Sequence, residues 1–100
     1  MVEVEALNKA KEYASIIRNQ YDNSKIFLFG SYANGKYHKD SDIDIAIILD
    51  DYKDKLDVMI ELMKLRRSID SRIEPHPFRL ADFNSNNILA AEVLIHGMEL

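Results

Sequence analysis

A polar loop between two apolar runs is the feature that most constrains this chain. Residues 26–49 read IFLFGSYANGKYHKDSDIDIAIIL and contain two of the three glycines, Gly30 and Gly35. The loop ends in Asp42 and Asp44, which stand at the start of the most hydrophobic run of the sequence. Two acids beside an apolar strand, one loop after a Gly-Ser pair, indicate a site rather than a plain turn.

Length, charge and cysteine content limit the class of protein. A chain of 100 residues with 47% hydrophobic residues predicts one domain, residues 1–100. The net charge of −4, with both signs spread along the chain, argues against direct nucleic-acid binding but leaves room for an anionic ligand bound through a metal. Without cysteine, a metal ion would need carboxylate, carbonyl or His ligands.

Nothing in the sequence suggests a membrane or an export signal. The longest aliphatic run, residues 45–49, is far too short to cross a bilayer. The first fifteen residues carry acids where a signal peptide has a basic start and an apolar stretch. We therefore expect a cytoplasmic protein.

Hydrophobic periodicity predicts an α-β-α-β-α-β-α order, a mixed α/β (α+β) fold with helices packed on a small mixed sheet. Predicted helices cover residues 2–20, 54–69 and 86–96, with a short helical turn at 31–34, and predicted strands cover residues 26–29, 43–49 and 72–78. The third strand contains both prolines of the chain, Pro75 and Pro77, which favours a sheet edge.

Alternation and helical spacing assign faces to these elements. In the second strand, one face is predicted to carry Ile43, Ile45, Ile47 and Leu49, and the other Asp42, Asp44, Ala46 and Ile48. The second long helix is expected to turn four apolar residues to the core, namely Leu56, Met59, Ile60 and Met63. The last helix is apolar nearly all round, which predicts that part of the surface formed by Ile88, Leu89, Val93 and Leu94 is an interface with another chain.

The loop has the residue types that phosphate and metal chemistry needs. A glycine at position 30 lets the backbone approach a ligand, and the N–H groups of the following turn, with the Ser31 hydroxyl, can bind phosphate oxygens. Asp42 and Asp44 leave one strand face together, where a divalent cation such as Mg²⁺ relieves their repulsion. This combination is typical of phosphoryl or nucleotidyl transfer.

Topology then suggests a third carboxylate. If the first two strands are antiparallel neighbours, and the third strand runs parallel to the second, the start of the third strand lies beside the acid pair. Glu74 would then complete the metal site, with a solvated edge acid paired to Arg72 as the alternative. His76 shares the same predicted face and is an outside candidate for the site.

The loop resembles the fingerprint of the polymerase-β-like nucleotidyltransferase superfamily, in which Gly-Ser, ten residues and Asp-x-Asp follow one another. Here Gly30 and Ser31 precede the ten residues 32–41 and then Asp42-Ile43-Asp44. The small size is similar to the minimal nucleotidyltransferases of bacteria and archaea, many of which are encoded beside a HEPN-domain toxin. In some such pairs the enzyme, acting as antitoxin, transfers AMP from ATP to a tyrosine of the toxin.

The resemblance implies roles for five residues. Asp42, Asp44 and Glu74 would bind two Mg²⁺ ions and act in catalysis, and Gly30 and Ser31 would bind the β- and γ-phosphates of an NTP such as ATP. The position of Asn34 often carries a basic residue in relatives, so the resemblance implies either weaker triphosphate binding here or that Lys36 takes that role. The partner implied is a HEPN-domain protein, and a homo-oligomer is also open.

Two alternatives to a protein adenylyltransferase remain at this stage. One is a non-catalytic antitoxin that blocks a HEPN partner sterically, to which Asn34 and the prolines beside Glu74 give some weight. The other is an antibiotic nucleotidyltransferase, which usually carries a further domain to bind the drug.

Overall fold

The structure, a computed structural model, describes residues 3–100. Helix α1, Val4–Gln20, begins after Glu3, whose carboxylate accepts hydrogen bonds from the N–H groups of Glu5 and Ala6, each at 2.8 Å. The helix was predicted from residue 2, which lies outside the described residues. Its buried stripe faces the sheet and consists of Ala6, Ala10, Tyr13, Ala14 and Ile17.

Four strands form one mixed sheet in the order β3-β2-β1-β4. They are β1 (Lys25–Phe29), β2 (Ile43–Leu49), β3 (Ile73–Arg79) and β4 (Met98–Glu99). Strands β1 and β2 are antiparallel, β2 and β3 are parallel, and β3 lies at the edge. These pairings confirm the topology and the mixed α/β class predicted above. Strand β4, which pairs with β1, was not predicted.

The two remaining long helices start one or two residues later than predicted because capping side chains precede them, whereas the short helix between β1 and β2 has its predicted bounds. Helix α2 is the short turn Ser31–Asn34. Helix α3, Lys55–Leu65, is capped by the Asp54 carboxylate and continues as a 3-10 turn, Arg66–Ser68. A second 3-10 turn, Leu80–Asp82, follows β3. Helix α4, Ile88–His96, is capped by the Asn87 side chain.

The two faces of β2 support two cores, as the alternation predicts. Ile43, Ile45, Ile47 and Leu49 pack with α1 and α3 in the larger cluster. On the opposite face, Ala46 and Ile48 pack with Phe29, Phe78 and, from α4, Ala90 and Val93. Asp44 precedes Ala46 on this second face, so α4 covers one end of the face and the acids lie at the other.

The predicted core face of α3 is wrong. Leu56 is 66% exposed and Ile60 46% exposed, whereas Val58, Leu62 and Leu65 contact the core. This helix has two apolar stripes that could each pack on the sheet, and the spacing of apolar residues does not show which one does. The Tyr13 hydroxyl donates to the Leu62 carbonyl oxygen at 2.7 Å, a contact from α1 that accompanies the buried stripe. Within residues 3–100, no helix combines the length and apolarity needed to cross a membrane.

Candidate active site

The Gly-Ser and Asp-x-Asp segments meet at the end of β1. Phe29 pairs with Asp44 across the antiparallel ladder, so Gly30 follows directly beside the acid. Gly30 has φ 74° and ψ −152°, a conformation that side chains disfavour. A Cβ atom at this position would lie only 2.2 Å from Oδ2 of Asp44. The backbone conformation therefore favours glycine here, and any larger residue would also have to displace the Asp44 carboxylate.

The second oxygen of Asp44 contacts a histidine. Nε2 of His76 lies 3.1 Å from Oδ1 of Asp44, and both side chains are about one quarter exposed, 27% and 25%. The His76 ring also packs edge-on against Phe29, with 5.1 Å between ring centroids. With its proton on Nε2, His76 donates a hydrogen bond that fixes the orientation of the carboxylate.

The other two predicted acids lie near Asp44, one on the neighbouring strand and one just before β2. Glu74 is the register partner of Asp44 on parallel strand β3, and its side chain is partly exposed. Asp42 is exposed and lies immediately before β2. The alternative pairing of Glu74 with Arg72 is not observed, since Arg72 contacts Asp70 and Glu5 instead. All three carboxylates thus lie at the same end of two neighbouring strands.

The three carboxylates are chemically suited to bind a hard divalent cation. Asp42, Asp44 and Glu74 supply only carboxylate oxygens, which Mg²⁺ prefers. Among residues 3–100, no three acidic or histidine side chains already converge on one point. The three carboxylates would therefore have to rotate toward one another to share an ion.

The loop between Gly30 and Asp42 is held by its own hydrogen bonds. The carbonyl oxygen of Gly30 accepts from the N–H groups of Ala33 and Asn34, and the buried Ser41 hydroxyl accepts from the N–H of His38 at 2.9 Å. Tyr32 is 1% exposed and stacks on Tyr37, so it belongs to the core. Ser31 is partly exposed beside Gly30, as a phosphate-binding hydroxyl requires.

An arginine that the sequence analysis did not assign to the site ties the loop to β3. Arg72 donates to both carboxylate oxygens of Asp70, the shortest contact being 2.8 Å, and reaches the Tyr32 hydroxyl and the Lys39 carbonyl oxygen. The hydrogen bonds from Arg72 lower the pKa of Asp70. No local signal marks these contacts, because Tyr32 and Arg72 are forty residues apart in sequence.

Comparison with known proteins gives one family and two named relatives. The family "Polymerase beta, Nucleotidyltransferase" matches residues 11–100. Over 76 residues the chain is 36% identical to the protein adenylyltransferase MntA of Shewanella oneidensis, covering 75% of this chain and 51% of MntA. Over 56 residues it is 41% identical to the putative protein adenylyltransferase MJ0604 of Methanocaldococcus jannaschii, covering 53% of this chain and 56% of MJ0604. The chain therefore spans about half the length of these curated relatives.

Similar solved structures come from toxin–antitoxin complexes. A toxin–antitoxin structure with AMP-PNP superposes with a TM-score of 0.67 at 31% identity, covering 92% of this chain and 69% of that chain. A mutant of the MntA–HpeT toxin–antitoxin gives a TM-score of 0.68 at 27% identity, with coverage of 90% and 70%. The Shewanella oneidensis MNT antitoxin in complex with a tri-AMPylated HEPN toxin gives 0.65 at 25% identity, with coverage of 94% and 70%.

The matched residues 11–100 include all four described strands, the Gly-Ser loop and the three neighbouring carboxylates. The strand order and the contact of Gly30 with Asp44 agree with that match. The chain belongs to the polymerase beta nucleotidyltransferase family.

Proposed function

We propose that this chain is a protein adenylyltransferase that transfers AMP from ATP to a tyrosine hydroxyl of a HEPN-domain toxin and thereby acts as its antitoxin in the cytoplasm. The observation that carries the proposal is the packing of the Asp44 carboxylate against Gly30, which joins the phosphate-binding and metal-binding segments. The relatives named as adenylyltransferases, and the neighbours with AMP-PNP or an AMPylated HEPN toxin, support the substrate and the acceptor.

Each candidate residue has a defined task in this reaction. Gly30 and Ser31 bind the β- and γ-phosphates, so pyrophosphate leaves from the β1 side of the sheet. Asp42, Asp44 and Glu74 would hold two Mg²⁺ ions, which would neutralise charge on the transferring phosphate. Glu74 lies closest to the sheet edge and accepts the proton of the acceptor hydroxyl. The acceptor oxygen forms a bond to the α-phosphorus as the bond from that phosphorus to the pyrophosphate oxygen breaks.

The second candidate function is steric inhibition of the HEPN partner without catalysis. It is favoured by the contact between His76 and Asp44, because one oxygen of the central acid is already engaged. The three adjacent carboxylates favour the hypothesis of catalysis, because steric inhibition alone does not require like charges side by side.

The test is transfer of label from α-labelled ATP. The chain would be incubated with Mg²⁺ and two purified acceptors, the Shewanella oneidensis HEPN toxin and a HEPN-domain protein from the source of this chain. We expect covalently bound AMP on a tyrosine of the acceptor, located by mass spectrometry. Absence of label on both acceptors, together with tight complex formation, would support steric inhibition instead.

The matched variant removes charge without changing shape. Asp42→Asn together with Asp44→Asn should lower transfer at least about a hundredfold, because the ions that balance transition-state charge lose two ligands. The same variant should lose Mg²⁺-dependent ATP binding in a calorimetric titration and keep its fold. Unchanged Mg²⁺–ATP affinity in the variant would show that the metal site lies elsewhere.

A further inference from the structure

A polar groove runs along the open edge of β3, next to the carboxylates. Its volume is about 540 Å³, within the range of ligand-binding sites. One wall is formed by β3 from His76 to Arg79, another by Lys55 and Met59 of α3, and the third by the loop that contains Asn86. Lys55 and Asn86 are exposed.

The groove adjoins the candidate site through a single side chain. His76 lines the groove and also lies 3.1 Å from Asp44. Glu74, two residues earlier on the same strand, is in register with Asp44. A molecule in the groove therefore approaches Asp44 and Glu74 from the β3 side, opposite Gly30 on the β1 side.

We infer that this groove binds the polypeptide segment of the acceptor protein that carries the reacting hydroxyl. The inference rests on the proposed function and deepens it. Phosphoryl transfer places the attacking and leaving oxygens roughly in line. Because the leaving pyrophosphate is assigned to Gly30 and Ser31 at the end of β1, the attacking oxygen has to enter from beyond β2, and the sheet order puts β3 there.

The lining indicates how such a segment is recognised. Pro75 and Pro77 have no N–H, so the edge of β3 is a poor template for an added strand. Recognition therefore falls to side chains. Lys55 has no ion pair among the described residues, whereas Arg79 is engaged by Asp51 and stacks on Tyr52 at 4.4 Å. The uncompensated ammonium of Lys55 suits an acceptor segment with an acidic residue near its tyrosine.

Two groove variants and two matched controls test the inference. Lys55→Glu reverses the free charge and, at the first residue of α3, also suits the helix dipole, so folding is preserved. Asn86→Trp fills the groove from its loop wall. The controls, Lys11→Glu and Asn8→Trp, make the same replacements at exposed positions of α1. The acceptors are the two HEPN-domain proteins of the transfer assay.

The expected result separates acceptor binding from nucleotide binding. The KM for the acceptor should rise about tenfold in each groove variant, while the affinity for Mg²⁺–ATP and the kcat at saturating acceptor stay within about twofold of wild type. Both controls should match wild type. A loss of ATP affinity with an unchanged acceptor KM would assign the groove to the nucleoside and overturn the inference, as would no effect of either variant. A wild type that transfers no AMP would overturn the proposed function and the inference together.

Discussion

At the scale of single residues, the sharpest constraint is the space beside Asp44. Gly30→Ala should cost at least about 2 kcal/mol of unfolding free energy, because the backbone conformation disfavours a side chain and the methyl group would displace the carboxylate. It should also abolish Mg²⁺-dependent ATP binding. Urea unfolding and calorimetric titration measure the two effects separately.

Gly35 is the matched control for that substitution. Its φ is also positive, at 83°, but nothing lies within 4 Å of an added Cβ. Gly35→Ala should therefore cost about 1 kcal/mol of stability and leave ATP binding unchanged. Equal loss of ATP affinity in both variants would mean that loop conformation, and not the contact with Asp44, explains the requirement for Gly30.

His76 is a second residue with a testable effect, because its hydrogen bond positions the Asp44 carboxylate. His76→Phe keeps a ring against Phe29 but removes the hydrogen bond, and should weaken Mn²⁺ binding by about tenfold, as for other residues that orient metal ligands. His76→Gln, which keeps a donor, should recover most of the affinity. Titration of the protein with Mn²⁺, followed by electron paramagnetic resonance, gives the dissociation constants without any turnover. Tighter Mn²⁺ binding in His76→Phe would show that His76 competes with the ion.

At the scale of elements, the pair Arg72 and Asp70 joins the start of β3 to the loop around α2. Hydrogen bonds from Arg72 lower the pKa of Asp70, so the ionised carboxylate stabilises the fold above the ordinary carboxyl range. That contribution is lost as the pH falls through the folded-state pKa. Asp70→Asn should lower stability by about 1–2 kcal/mol at pH 7, and the difference from wild type should close below about pH 4.

Urea unfolding at pH 7, 5 and 3 measures this difference. Asp22→Asn is the control, because Asp22 is exposed and has no ion pair within the described part of the chain. The control should follow the wild type at each pH. A gap between Asp70→Asn and wild type that stays constant from pH 7 to pH 3 would contradict the assigned role.

Elements with a strong local pattern could be predicted from the sequence. The bounds of β2 and α2, the alternation of β2 and the edge position of β3 all follow from side-chain type and spacing. Strand β4 could not be predicted because two residues carry no period, and their strand state depends on β1. The rotation of α3 depends on which of two apolar stripes meets the sheet, which is a tertiary contact.

The candidate site, too, has features that the sequence pattern predicts and side-chain contacts that it does not. The proximity of Gly30, Asp44 and Glu74 followed from strand order, which the sequence pattern predicts. The contacts of His76 with Asp44 and of Arg72 with Tyr32 join distant parts of the chain through side-chain geometry. Alternation along β3 predicts the face on which His76 lies, but sequence spacing predicts neither its contact with Asp44 nor the contact of Arg72 with Tyr32. The roles of Asp42, Asp44, Glu74, Gly30 and Ser31 in metal and nucleotide binding stay predictions until the variants above are measured.

At the scale of the whole molecule, helix α4 presents apolar side chains on two sides. Val93 is 1% exposed and belongs to the core, so its predicted place in an interface is wrong. Ile88, Leu94 and Ile95 are 91%, 55% and 74% exposed, and Leu89 is partly buried. An apolar patch of this kind usually marks a contact with another chain. Because α4 packs on the same sheet face as Asp44, a protein bound there would lie on the side of the sheet that carries this carboxylate.

We expect this patch to bind the HEPN-domain partner, and Ile95→Glu tests it. The substitution places a charge where an apolar side chain would be buried, and loss of that burial is worth about 1.5–3 kcal/mol, or at least a tenfold loss of affinity. Val4→Glu on α1 is the control, since Val4 is similarly exposed at 69%. Calorimetry with the partner, and light scattering of the chain alone, measure the two associations.

If light scattering shows a wild-type dimer that only Ile95→Glu dissociates, while the affinity for the partner is unchanged, the patch joins two copies of this chain. If neither association changes, α4 binds no partner through Ile95, and the hydroxyl acceptor must be held by other contacts, of which the groove along β3 is the nearest to Asp44.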